Sequence, residues 1–180
     1  MKIELKKISF SERMSEETNC FAADLFINGK KVGYVKNDGR GGCTDYHANT
    51  SCASGFTRVN IELIAEAEKY CKTLPHNEFG EQTLEDVIND CLEAYLKDKA
   101  EKKIEKKMQK EYLTAICYGA RIKGGYSYAS AFWKDYNKKY VPLAKVPLAA
   151  LQKRYDDIKL RLNDNDVVLN TNLTALGIQI

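Results

Sequence analysis

The groups best suited to chemistry in this sequence gather between Lys36 and His47, in KNDGRGGCTDYH. Successive amides of a glycine-rich turn can converge on a phosphate or carboxylate, and an arginine adds a two-pronged charged donor. Gly39, Arg40, Gly41 and Gly42 therefore read as an anion-recognition turn, with Tyr46 and His47 beside it as further ligand contacts. The run matches neither G-x-G-x-x-G nor G-x-x-x-x-G-K-S/T, and no helix signal follows directly to add an N-terminal dipole. A plain turn after a strand is the competing reading, since glycine serves wherever the chain needs positive φ.

The same stretch offers metal-ligand types. Cys43, His47 and Cys52 are separated by three and four residues, a looser spacing than the paired C-x-x-C knuckles of structural zinc. Cys43 beside His47 also has the composition of an activated thiol, but no orienting third group is evident. No catalytic residue, metal ligand or cofactor is assigned on these grounds, and a zinc- or cysteine-dependent enzyme stays as an alternative.

Two further surfaces carry charge or aromatic rings. Lys99, Lys103, Lys106 and Lys110 share one helix face by their spacing of four, three and four. Phosphate backbones are attracted to such a face, but a solvated helix end rich in lysine is also what the helix dipole favours. Farther on, Tyr126, Tyr128, Trp133, Lys134, Tyr136 and Lys138 interleave rings with cations, joined by Phe132, Lys139 and Tyr140. Rings flanked by cations bind bases by stacking, whereas half the positions of a strand must face a core, and tyrosine also anchors protein interfaces.

The elements that position these groups follow from periodicity. Lys2 to Phe10 alternates with one slip in register. Phe21 to Ile27 and Lys31 to Val35 are strands joined by Asn28-Gly29, the pair that a two-residue hairpin turn demands. His47 to Thr57 reads as a loop. Asn60 then caps a helix through Ile61, Ile64, Ala67, Cys71 and Leu74, which Pro75 ends, and Thr83 caps a long helix reaching residue 111. The apolar stripe of that helix narrows after Leu96 to Ala100, Ile104 and Met108, so its second half is expected to bury less and to lie along a surface or a partner. Gly124-Gly125 turns a second hairpin, Pro147 opens a last helix along Leu148, Leu151, Tyr155, Ile158 and Leu162, and the tail forms a short strand and a helical turn capped by Thr171 or Asn172.

The expected fold is one α+β domain over residues 1–180: an N-terminal three-stranded antiparallel sheet packed by helices, the long central helix, a second β-rich segment and a C-terminal helix. It divides naturally into sub-lobes 1–75 and 112–180 joined by helix 83–111, whose exposed face could also pair two copies of the chain. With 44% apolar and 29% charged residues and a net charge of +3, the composition is globular and too weakly basic to declare nucleic-acid binding by itself. No apolar run is long enough to span a bilayer, the start lacks a secretory pattern, and six spread cysteines read mostly as buried thiols, so a cytoplasmic protein without membrane partners is expected.

The stretches ETNCFAADLFINGKKVGYVKNDGRGGC and VVLNTNLTALGI resemble a set of small uncharacterised bacterial and bacteriophage accessory proteins that share an NGK hairpin, a glycine-rich turn and an LNTNL-like tail. That resemblance implies no catalytic residues; it implies a phage or mobile-element setting, where such proteins block a host defence protein or sequester a nucleotide-like anion. The functional expectation is accordingly a non-enzymatic binding protein or inhibitor taking a host protein or a small anionic ligand, with a nucleic-acid binder using the lysine helix and the aromatic segment as the alternative.

Overall fold

The computed structural model describes residues 1–49, 56–78, 80–122 and 125–180, with only the backbone of 56–58. The fold is α+β, with three helices and seven strands in two antiparallel sheets among the described residues. The chain forms two compact units, Met1–Tyr95 and Leu96–Ile180.

In the first unit, β1 (Ile3–Phe10), β2 (Phe21–Ile27), β3 (Lys30–Asn37) and β4 (Asp45–Ala48) pair in sequence order. β2 buries every second residue, Phe21, Ala23, Leu25 and Ile27, the period-two pattern of a sheet with one covered face. Asn28 and Gly29 turn the hairpin with φ of 50° and 79°. Register shifts opposite Leu25/Phe26 and between Lys6 and Ser9 mark two bulges. The first explains why Val32 and Val35, three apart, both face the core; the second is the slip expected in β1, where Lys7 takes φ 52°.

The sheet has four strands, not three. Residues 45–48 were expected to lead into a loop, since DYHA shows no apolar alternation, yet they pair with Gly33 to Lys36. Gly33 makes this possible: a Cβ there would lie 2.0 Å from the His47 carbonyl oxygen.

Helix α1 (Phe56–Cys71) packs on β2, β3 and β4 through Ile64, Ala67 and Cys71. It begins before Asn60, so Asn60 is not its cap; the buried side chain instead donates to the Asn49 carbonyl at 3.3 Å. Ile61, expected inward, is exposed. Helix α2 (Leu84–Glu111) starts where expected: Thr83 Oγ1 accepts the Asp86 amide at 3.1 Å while Asp86 accepts the Thr83 amide at 2.8 Å, a reciprocal cap. Leu84, Ile88 and Leu92 bury its first turns.

In the second unit, β5 (Ala115–Ile122) is central, flanked by β6 (Gly125–Phe132) and the two-residue β7 (Val167–Val168). Gly124 of the expected turn lies outside the described residues. Alternation sends Ala115 and Cys117 to one face with Met108 and Tyr112, and Ile116 to the other with Leu151, Tyr155 and Ile158 of α3 (Leu148–Lys159). Of the narrowed α2 stripe, Ala100 is exposed, Ile104 is half-buried and Met108 is fully buried, so the end of α2 is a packed element of this unit. Neither Thr171 nor Asn172 caps the last helical turn, which starts at Leu173 without a side-chain cap.

Candidate functional site

Asn37, at the end of β3 and buried, organises the glycine-rich turn. Its Oδ1 accepts the Gly39 amide at 2.8 Å and the Thr18 hydroxyl at 2.9 Å, and its Nδ2 donates to the Gly42 carbonyl and to Thr44 Oγ1. The Gly41 amide donates to Thr18 Oγ1 at 3.2 Å, and the Thr44 amide to Glu85 Oε1 at 2.6 Å. The amides of Gly39, Gly41 and Thr44 are thus held by the protein's own oxygens instead of converging on a ligand. A cavity of about 180 Å³ adjoins the turn, and its wall carries the carboxylates of Glu85 and Glu93 with Asn19, Asn37 and Asn89 but no lysine or arginine. An anion there would face repulsion, and Arg40 is exposed elsewhere on the turn.

The neighbouring ligand candidates part company on β4. Tyr46 turns inward, donating its hydroxyl to Glu68 of α1 at 2.8 Å; burial, then this carboxylate, push its phenol up to about 12. His47 faces outward, its ring 5.2 Å from that of Tyr34. Among the described residues no group of three or more His, Cys, Asp or Glu side chains could hold a metal ion, and Cys52 lies outside them.

Lys99, Lys103, Lys106 and Lys110 are all exposed along α2. Tyr126 and Tyr128 pack against the Met108, Tyr112 and Cys117 cluster, and burial raises the Tyr128 phenol. They are wall, not platform. The remaining aromatic and basic candidates stand together where β6 ends. The loop from Trp133 to Val141 is tied at its base by the Val141 amide to the Trp133 carbonyl at 2.9 Å, and at its tip by the Lys139 amide to Asp135 Oδ1 at 2.9 Å. The ring of Phe132, at the end of β6, lies 4.7 Å from that of Tyr140 in the loop, Lys134 Nζ sits 5.1 Å from the Tyr140 ring, and Tyr136 and Lys138 are exposed.

This edge forms one side of a groove of about 400 Å³, lined by Phe132, Trp133 and Lys134 opposite Ala150, Lys153, Arg154 and Asp157 of α3. The volume suits a small organic ligand. Lys134, Lys153 and Arg154 are exposed, and among the described residues none of the three is ion-paired with a carboxylate. Lys153 and Arg154 are candidate residues that the motifs of the sequence do not single out. Their signal was present: Ala150, Arg154 and Asp157 recur at four and three on the flank of α3 beside its buried stripe of Leu151, Tyr155 and Ile158. What periodicity could not show is that this flank faces the end of β6. No family model, curated protein or solved structure matches the chain, so the groove's chemistry stands on its geometry alone.

Proposed function

We propose that this is a non-enzymatic binding protein that takes a nucleotide-like anionic ligand in the groove between the end of β6 and α3. The observation that carries the reading is the pairing of Trp133 and Phe132 with Lys134, Lys153 and Arg154 around one cavity. A ring and a neighbouring unpaired cation match a base and its phosphate. Binding is favoured over catalysis because, among the described residues, the groove is lined by no serine, cysteine or histidine. The glycine-rich turn, first reading of the sequence, becomes the brace of the N-terminal sheet.

Trp133 is the only tryptophan in the chain, so its fluorescence reports the groove directly. Titration with ATP and with GTP should quench it saturably, and Lys153→Glu with Arg154→Glu should abolish the quenching while the melting temperature moves by less than about 3 °C, as for exposed substitutions. Absence of quenching by either nucleotide and by any oligonucleotide overturns the reading.

A second reading, a protein partner blocked by this chain in a phage or mobile-element setting, draws on Tyr136 and Tyr140, which are 93% and 55% exposed. It expects Tyr136→Ala with Tyr140→Ala to release a co-purifying chain without altering the nucleotide titration.

A further inference from the structure

We infer that the natural ligand of this groove is single-stranded nucleic acid, bound with little sequence preference, an inference that rests on the groove being an anion-and-ring site as proposed above. The groove does not end at Arg154. A second cavity of about 80 Å³ shares Arg154 and Asp157 with it and adds Tyr118 and Arg161, so the cationic wall continues past the end of α3. Arg154 lies within α3 and Arg161 in the turn just past its end at Lys159, so the two cations line successive parts of one wall. Two such cations, with Lys134 and Lys153 behind them, fit a row of phosphates better than the clustered phosphates of one mononucleotide.

The rings extend in the same way. Beyond Trp133 and Phe132, Tyr140, tilted 44° against the Phe132 ring, and the exposed Tyr136 add further rings along the loop. Successive bases stack on such a series whatever their identity. Among the described residues the linings of both cavities contain no Asn, Gln, Ser or Thr and Asp157 is their only acid, so base-edge readout is confined to the cations that phosphates also occupy. The four cations Lys134, Lys153, Arg154 and Arg161 are exposed, and none is ion-paired among the described residues, so all remain able to meet phosphate.

The test is Trp133 quenching by a twelve-residue oligothymidylate, the matching oligouridylate, a twelve-base-pair duplex and ATP. Both single strands should quench saturably and the duplex far less, with the two single-strand arms showing whether DNA or RNA is preferred. With four phosphates neutralised, the salt slope should be about −2.8, a loss of about 50-fold in affinity between 50 and 200 mM salt. Arg161→Glu should weaken oligonucleotide binding at least tenfold and leave ATP quenching unchanged, since Arg161 lines the second cavity and not the groove beside Trp133. Quenching by ATP without quenching by single strands overturns this inference and leaves the proposed function standing; quenching by neither overturns both. Equal binding of the duplex, or an Arg161→Glu protein that binds oligonucleotide like the unaltered chain, also overturns it.

Discussion

The side-chain oxygen of Asn170 accepts the Cys117 amide at 2.6 Å, so a buried carboxamide carries on the β5 ladder where β7 has already stopped. Its nitrogen completes the mimicry by donating to the Ala115 carbonyl at 3.0 Å, and Asn172 extends it to the Tyr112 carbonyl at 2.9 Å. Asn170→Ala would leave a buried donor and a buried acceptor without partners. It should destabilise the second unit by about 2–3 kcal/mol, read as a lower urea midpoint with an unchanged slope.

Gly39 and Gly42 sit in the same turn and should respond in opposite ways. Gly39 has φ 83°, and a Cβ on it would lie 2.2 Å from the Met14 carbonyl oxygen, a backbone atom that cannot step aside. Nothing lies within 4 Å of a Cβ on Gly42. Gly39→Ala should therefore cost at least about 2 kcal/mol, and Gly42→Ala less than about 0.5 kcal/mol, by thermal or urea unfolding.

Alkaline pH should loosen the β4–α1 contact. Because the Tyr46 phenol is pushed up to about 12 from its ordinary 10, the folded chain holds that proton more tightly than the unfolded chain. The resulting stability is fully present below pH 10 and is lost as the pH rises toward 12. Tyr46→Phe should flatten this decline in urea midpoints measured from pH 8 to 11.5. It should not abolish it, since burial also raises the phenols of Tyr112 and Tyr128.

Thiol labelling should sort the cysteines by burial. Cys43 is exposed, Cys20 and Cys91 are half-buried, and Cys71 and Cys117 are buried, with burial raising the thiols of Cys71, Cys91 and Cys117. Brief iodoacetamide treatment of the native protein followed by peptide mapping should find Cys43 alkylated first of these five, and Cys71 and Cys117 only after denaturant is added. Early labelling of Cys117 would mean that the face of β5 toward Met108 opens readily.

Much of the architecture was legible wherever a local rule also served the fold. Asn28-Gly29 could only be a turn needing two positive φ values, and the Thr83 cap lies directly before a continuous apolar stripe. The fourth strand was not legible, because DYHA joins the sheet through the close approach that Gly33 allows and not through any pattern of its own. Asn60 misled for a related reason: a cap-forming residue type also serves inside a helix when a carbonyl such as that of Asn49 waits beside it. The glycine-rich turn had the composition of an anion site, but Asn37 and Thr18 hold its amides, and only coordinates reveal that. Half of the groove was visible as two rings and a lysine at the end of β6; the other half lies on α3, joined to it by tertiary packing alone.

The place of β7 in its sheet has a consequence for how the chain emerges during synthesis. By Ala48 all four strands of the first sheet have been made, each beside its predecessor. In the second sheet β5 is the middle strand, yet its far neighbour arrives only with Val167, and the core that α3 joins is closed by Leu173 and Ile178. A ribosome that stalls after Lys159 would leave β5 with one bare edge and the core beside α3 without Leu173 and Ile178. Such a nascent chain would be a ready substrate for chaperones and quality-control proteases.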